Sequence, residues 1–119
     1  MIDVFRTPRA LRVTFRDPAR RNALANDDYD RLASALNRIG EERCVVLQGE
    51  GNTFCAGNRL DRFSAEWPQP YHGPVHRFLS ALAETPVPVI ALVRGAAVGI
   101  GATMLLHCDI VLCEASRRS

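Results

Sequence analysis

The chain has 119 residues, enough for one domain, and 47% of them are hydrophobic while 24% are charged. This is the composition of an ordinary soluble globular protein. The net charge of +2 is small and dispersed, and no apolar run reaches membrane-spanning length, so we expect neither a nucleic-acid partner nor a membrane partner.

The first part of the chain predicts a strand, a helix and a second strand. Residues Ala10–Phe15 alternate apolar and polar side chains, as a half-buried strand does. Asn26 can cap a helix that carries apolar residues at helical spacing until Gly40 ends it. Residues 44–47 form a short apolar run that is typical of a buried strand.

The second part of the chain predicts loops, two helices and two more strands. A short helical segment begins between residues 60 and 63, and residues 66–74, rich in proline and aromatics, form a loop that we expect to be mobile. An amphipathic helix runs from Pro74 to Ala83. Val89–Val93 and residues 109–113 are unbroken apolar runs, each typical of a buried strand, with a helix over residues 102–106 between them.

The alternation of strands with short helices predicts an α/β fold with a mostly parallel sheet. Glycine turns follow two of the predicted strands, after Leu47 and after Val93. Ligands of open α/β sheets bind at such carboxyl ends. We therefore expect the functional site at this edge.

The glycines that follow the apolar run Val89–Val93 have three possible interpretations. Gly99 and Gly101 can serve tight packing between a strand and a helix. They can belong to a dinucleotide-binding loop, although Met104 stands where that motif needs a third small residue. They can also open a helix whose free N–H groups hold a negative oxygen, which requires a second donor from elsewhere in the chain.

Three segments together resemble the crotonase superfamily, also called the enoyl-CoA hydratase/isomerase family. They are residues 18–24 (PARRNAL), residues 54–58 (FCAGN) and residues 88–109. The resemblance spans nearly the whole chain and implies a spiral of stacked ββα units that binds acyl-CoA. Residues 1–119 would form the N-terminal part of such a domain. The implied partner is an acyl-CoA thioester, with coenzyme A present as part of the substrate and no other cofactor or metal.

The resemblance also implies individual roles. The backbone N–H groups of Asn58 and Ile100 would polarise the thioester carbonyl and stabilise an enolate. The residues implied in coenzyme A and substrate binding are Arg20, Arg21, Ala23, Leu24, Ala56, Gly57 and Gly99. The residues expected near the nucleotide end are Arg20, Arg21, Ala23 and Leu24, with the two arginines available for phosphate, although a solvated basic turn is the alternative interpretation.

Several residues depart from the family pattern. Arg59 replaces the usual aspartate, and Ile100 replaces the usual glycine, which leaves a backbone donor intact. Thr103 occupies the position of the first glutamate of the hydratases, and threonine is a poor general base at neutral pH. Its alternative role is a hydrogen bond to its own helix. Thr103 therefore argues against the two-glutamate hydratase mechanism. Residues 57–60 (GNRL) and 98–109 (VGIGATMLLHCD) resemble the Δ3,Δ2-enoyl-CoA isomerases of the family, which implies double-bond isomerisation with a single acid/base.

The chain is about half as long as members of this family, so we expect an N-terminal fragment. The full-length family implies a homo-oligomer of the trimer type. The alternative to an enzyme is a non-catalytic remnant that binds coenzyme A weakly or only associates with other chains. No two of the four cysteines form C-x-x-C, which argues against a metal site, and three of them lie in apolar, strand-like runs. We therefore expect buried free thiols in a reducing cytoplasm. His107 is expected to be structural, whereas His72 and His76 lie near the expected acyl site.

Overall fold

The computed structural model describes residues 1–59 and 73–114. Its strands are β1 (Ile2–Arg6), β2 (Ala10–Phe15), β3 (Cys44–Gly49), β4 (Thr53–Cys55), β5 (Val89–Val93), β6 (Ala96–Ala97) and β7 (Ile110–Cys113). Its α-helices are α1 (Asn26–Leu36), α2 (Pro74–Ala83) and α3 (Ile100–Thr103), with 3₁₀ turns at Pro18–Arg20 and Met104–His107. The predicted helix over residues 102–106 is thus divided between α3 and a 3₁₀ turn.

The main sheet has five strands in the order β1-β2-β3-β5-β7. Strand β1, which we did not predict, is antiparallel to β2, and every other pair is parallel. The three strands that the apolar runs predict are neighbours, with Leu47 paired to Ala91 and Ala91 paired to Val111. The predicted α/β fold with a mostly parallel sheet is therefore confirmed.

The hydrophobic core lies on one face of this sheet. Alternate residues of β2, β3 and β5 are fully buried and form one cluster with the apolar faces of α1 and α2. A second, two-stranded sheet pairs β4 with β6 in parallel. Its Phe54 contacts Phe15 of the main sheet edge to face, with ring centroids 5.3 Å apart. The small sheet therefore packs on the core face, close to the carboxyl end of β2.

Helix α1 differs from the prediction at both ends. Ala25 is its N-cap, and the Asp28 carboxylate accepts a hydrogen bond of 2.9 Å from the Ala25 N–H, so Asn26 is the first helical residue and not the cap. The helix ends at Leu36 rather than at Gly40. The Arg6 guanidinium, at the end of β1, donates to the carbonyl oxygen of Ala35 at 2.6 Å. This bond satisfies one of the carbonyl groups that have no partner at the end of the helix.

Strand β7 forms as predicted, but its expected burial is wrong. Ile110, Val111 and Leu112 are 46%, 38% and 56% exposed. The strand lies at the edge of the sheet, beyond β5, and no described element covers it. Strand β5 was expected to be buried on both faces, yet Ile90 and Leu92 are only half-buried because no described helix covers the second face.

Helix α2 runs from Pro74 to Ala83 as predicted. The helical segment predicted from residue 60, the loop of residues 66–72 and His72 lie outside the described residues. In the described part of the chain, no helix combines the length and the apolar character that crossing a membrane requires.

Candidate active site

Two glycine loops leave the small sheet side by side. Strand β4 pairs with β6 through Thr53 with Ala96 and Cys55 with Ala97. The N–H of Val98 then donates to the Cys55 carbonyl at 2.9 Å. Because the two strands are parallel, residues 56–58 and residues 98–100 emerge at the same end. From the sequence, we expected these loops to follow β3 and β5 directly. In the structure, the short strand β4 lies between β3 and the first loop, and β6 lies between β5 and the second loop.

Glycine is required where the two loops touch. Gly57 has φ +96° and Gly99 has φ +58°, conformations that other residues rarely adopt. A Cβ atom on Gly57 would lie 3.0 Å from the Val98 carbonyl oxygen. A Cβ atom on Gly99 would lie 3.8 Å from the Gly57 Cα. The two loops that carry Asn58 and Ile100 therefore touch at the residues directly before them.

The backbone of Asn58 is held by a single parallel bridge to Leu24. The Leu24 N–H donates to the Gly57 carbonyl at 2.8 Å, and the Arg59 N–H donates to the Leu24 carbonyl at 2.9 Å. In an extended chain, the polar groups of successive residues point to opposite sides. The Asn58 N–H therefore points away from Leu24. Across residues 1–59 and 73–114, no carbonyl accepts a hydrogen bond from it.

Ile100 is the first residue of α3, where N–H groups have no partner within the helix. The next N–H, of Gly101, donates to the Val98 carbonyl at 2.9 Å, and the Thr103 N–H donates to the Gly99 carbonyl at 2.9 Å. The Ile100 N–H has no backbone acceptor among the described residues. The side chain turns into the core and is 8% exposed, as expected for a donor that acts through its backbone.

The turn of residues 18–24 is fastened to the first of these loops. The Ala56 N–H donates to the Arg21 carbonyl at 3.0 Å. The Asn22 side chain is 1% exposed and donates to the carbonyl oxygens of Glu50 at 2.9 Å and Thr53 at 2.7 Å. Its own oxygen accepts from the Asp17 N–H at 2.9 Å. We did not single out Asn22 from the sequence, although it belongs to the PARRNAL motif.

A cleft of about 510 Å³ opens between this turn and the loop that carries Asn58. Its lining residues are Ala19, Arg20, Arg21, Ala23, Ala56, Asn58 and Arg59. The cleft brings together five of the residues that the resemblance implies. Leu24 and Gly57 are buried behind it and contribute their backbones. Gly99 contacts Gly57 from the second loop.

The cleft is cationic. Arg20 and Arg21 are exposed at its mouth, and Arg59 lines it from the opposite loop. Arg20 also pairs with Asp17 at 3.4 Å, outside the lining. None of the described lining residues is acidic. Such a surface suits a ligand that carries phosphate groups.

A larger cleft of about 710 Å³ lies on the uncovered face of the main sheet, at the carboxyl ends of β3, β5 and β7. Gln48, Leu92 and Leu112 are among its lining residues. It contains none of the predicted site residues. The smaller cleft is the functional candidate because the cations line it together with Asn58, which carries one of the two unpaired donors.

Among the described residues, neither Thr103 nor a histidine lines the cleft. The Thr103 hydroxyl donates to the Gly99 carbonyl at 3.1 Å, which is the backbone-bonding role weighed for it. His107 is exposed in the last 3₁₀ turn, and His76 is half-buried on α2.

The cysteines differ in environment more than the sequence suggested. Burial raises the pKa of the Cys55 thiol to about 11, although a hydrogen bond with the Gly57 backbone acts to lower this pKa. Burial also raises the pKa of Cys108 to about 11, assisted by Asp109. Cys113 is exposed because it lies on the edge strand β7, so the prediction of buried thiols is wrong for this residue.

Comparison with known proteins settles the family. The family model described as enoyl-CoA hydratase/isomerase matches residues 9–118. The chain belongs to the enoyl-CoA hydratase/isomerase family. The resemblance drawn from the three motifs is thereby confirmed.

Relatives of the family include proteins named for different reactions. A probable enoyl-CoA hydratase of Mycobacterium bovis is 32% identical over 92% of this chain and 45% of its own length. The 1,2-epoxyphenylacetyl-CoA isomerase of Escherichia coli is 35% identical over 89% of this chain and 44% of its own length. The chain thus spans about half the length of these relatives, and they do not distinguish hydration from isomerisation.

Solved structures of the family share the fold. OdaA of Pseudomonas aeruginosa superposes with a TM-score of 0.87 at 41% identity, over 94% of this chain and 47% of its own. An enoyl-CoA hydratase/isomerase of Pseudoalteromonas atlantica gives a TM-score of 0.84 at 39% identity, over 94% and 46% of the two chains. The α/β arrangement described above is therefore the crotonase fold.

Proposed function

We propose that this chain binds an acyl-CoA thioester and holds its carbonyl oxygen between the backbone N–H groups of Asn58 and Ile100. One observation carries the proposal: these two N–H groups lie on loops that touch at Gly57 and Gly99, and neither has a backbone acceptor within the described residues. A carbonyl oxygen about 3 Å from both nitrogens would satisfy both donors.

Contacts within the protein hold both donors in the absence of a ligand. The bridge to Leu24 holds Asn58, and the start of α3 holds Ile100. Donors that need no reorganisation stabilise developing charge far better than water does, and each contributes roughly 3–4 kcal/mol to the transition state.

The coenzyme A part of the ligand would lie along the cationic cleft. Arg20 and Arg21 supply charges for its phosphates, and Ala23 and Ala56 leave room for the chain that leads to the thioester. This places the phosphate end at the mouth and the reacting carbonyl beside Asn58.

For the reaction, we favour double-bond isomerisation. A base removes a proton from C2 of a 3-enoyl thioester, and the electron pair moves onto the thioester oxygen held by the two N–H groups. The resulting dienolate takes a proton at C4 and becomes the 2-enoyl thioester. Thr103 cannot provide the base, since its hydroxyl is bonded to Gly99 and is a weak base at neutral pH.

Binding without turnover is the second candidate. The observation that favours it is the absence of a carboxylate from the lining of the cleft in the described part of the chain. Polarisation of the carbonyl is common to both candidates, so the two differ only in whether a proton is moved.

Isotope-edited infrared spectroscopy tests the proposal. The carbonyl stretch of crotonyl-CoA, labelled with ¹³C at the thioester, should move to lower frequency on binding, since two donors weaken the C=O bond. An unchanged stretch at saturating protein would refute the proposed site. A separate incubation with 3-hexenoyl-CoA distinguishes the candidates, because only an isomerase produces the conjugated 2-enoyl thioester.

A further inference from the structure

The side chain of Asn58 accepts a hydrogen bond from the buried hydroxyl group of a tyrosine. Tyr29 lies on α1 and is 1% exposed, and its hydroxyl donates to the Asn58 side-chain oxygen. Its ring packs against Phe78 of α2, with centroids 5.8 Å apart. Two helices therefore fix the position of this hydroxyl in the core.

Asn58 is consequently anchored at two points. The bridge to Leu24 binds the peptides on either side of the residue, through the Gly57 carbonyl and the Arg59 N–H. The hydroxyl of Tyr29 binds the side chain of Asn58 itself. The Gly57 carbonyl and the Asn58 N–H share one peptide plane, so the bond from Leu24 orients that plane from one side. The bond from Tyr29 restricts rotation of Asn58 about its own Cα and so holds the same plane from the other side.

Packing of the ring alone does not require a hydroxyl group on residue 29. Phenylalanine would fill nearly the same volume, and a buried hydroxyl without a partner costs about 1–3 kcal/mol. Among the described residues, no buried side-chain nitrogen or oxygen lacks a partner. The pair thus connects the core to a half-buried residue that lines the cleft.

We infer that Tyr29 is a positioning residue: through the Asn58 side chain, it holds the Asn58 N–H in the direction that the thioester oxygen requires. This inference rests on the proposed function. Geometry matters here because a displacement of about 1 Å in a reacting arrangement can cost about 100-fold in rate.

The same segment of chain provides both anchors. Leu24 is the last residue but one before α1, and Tyr29 lies in the first turn of that helix, where its N–H donates to the Ala25 carbonyl at 3.1 Å. Movement of this segment would therefore displace both anchors of Asn58 at once.

The test compares Tyr29→Phe, Asn58→Ala and the double variant in the full chain. Asn58→Ala keeps the backbone N–H but removes the side-chain anchor. We expect each single variant to weaken the binding of crotonyl-CoA about 5- to 10-fold and to reduce the infrared shift of its carbonyl. Tyr29→Phe, which changes a buried residue outside the cleft lining, should leave the affinity for coenzyme A unchanged. The double variant should be no worse than either single variant, because both break one bond.

The control is Thr85→Val, which removes a hydroxyl that donates to the Ala81 carbonyl at 2.8 Å on α2. It reports the effect of losing one hydroxyl hydrogen bond away from the cleft and should leave the carbonyl shift unchanged. Asn58→Ala keeps the test valid if Tyr29→Phe does not fold, since Asn58 is only half-buried.

The outcomes separate the two claims. If the native chain shows no carbonyl shift, the proposed function fails and the positioning role fails with it. If the native chain shows the shift and both single variants retain it, the proposed function stands and the positioning role of Tyr29 is overturned. Additive losses in the double variant would also overturn it.

Discussion

The side-chain amide of Asn22 donates to the carbonyl oxygen of Thr53 at 2.7 Å, across 31 residues of chain. The same amide donates to the Glu50 carbonyl at 2.9 Å. One buried side chain thus joins the turn that carries the cleft arginines to the strand that leads to Asn58. The shape of the cleft depends on this connection.

Replacing Asn22 with alanine should lower the free energy of unfolding by about 2–4 kcal/mol, because several hydrogen bonds are lost and buried carbonyls are left unpaired. Chemical denaturation measures the change. Asn37→Ala, at the exposed end of α1, is the matched control and should cost less than about 1 kcal/mol. Equal losses in the two variants would contradict the structural role given to Asn22.

Replacing Gly57 with alanine should destabilise the chain by about 1–3 kcal/mol, because the residue has φ +96° and the new Cβ would lie 3.0 Å from the Val98 oxygen. It should also weaken acyl-CoA binding, since it forces the two donor loops apart. Gly40→Ala is the control, because the nearest atom to its new Cβ is 4.0 Å away. Calorimetric titration with crotonyl-CoA gives the affinities. A Gly57→Ala chain that binds as tightly as the control would be inconsistent with contact between the loops.

Removal of the cleft cations should weaken coenzyme A binding in a salt-dependent way. An exposed ion pair contributes up to about 1 kcal/mol, so we expect Arg20→Ala and Arg21→Ala each to raise the Kd about 2- to 5-fold at low salt. High salt should reduce the difference from the native chain, since it screens the charges. Arg9→Ala removes the same charge from an exposed position outside the cleft and serves as the control. If the double variant keeps both the affinity and the salt dependence of the native chain, these arginines form a solvated turn.

The buried thiol of Cys55 should make stability fall at high pH. Its pKa is raised from 9.0 to about 11 by burial, so the folded chain keeps the proton that the unfolded chain releases. Stability from this group is complete below pH 9 and is lost as the pH rises to about 11. Cys55→Ala should flatten the pH dependence of unfolding in this range, although Cys108 acts in the same direction. The chain contains no lysine, so lysine titration does not obscure the effect. A free energy of unfolding of the native chain that stays constant between pH 9 and 11 would contradict this prediction.

The sequence predicted the elements whose patterns are long and local. The apolar runs around Leu47 and Ala91 predicted neighbouring parallel strands, and the prolines at positions 74 and 86 bounded α2. The family motifs predicted five of the seven described residues that line the cleft, because each motif keeps its residues adjacent in the chain.

Other features depend on contacts that local patterns do not contain. Strands β4 and β6 are three and two residues long, too short to show any periodicity. Helix α1 ends before the predicted Gly40, and one of its last carbonyls, that of Ala35, accepts a hydrogen bond from Arg6 of the distant strand β1. The bonds of Asn22 and Tyr29 each join residues about thirty positions apart. An apolar run such as that of β7 predicts a strand, but it does not show whether another element covers that strand, and so it does not predict burial.

Nuclear magnetic resonance of the ¹⁵N-labelled chain tests the central claim most directly. Butyryl-CoA carries the thioester carbonyl, whereas coenzyme A alone does not. The account predicts that butyryl-CoA shifts the amide protons of Asn58 and Ile100 downfield together, since both donate to one oxygen, and that coenzyme A leaves these two signals in place. If butyryl-CoA shifts the signals of Ala23 and Ala56 but leaves those of Asn58 and Ile100 unchanged, the ligand binds in the cleft without the two donors and the account is wrong.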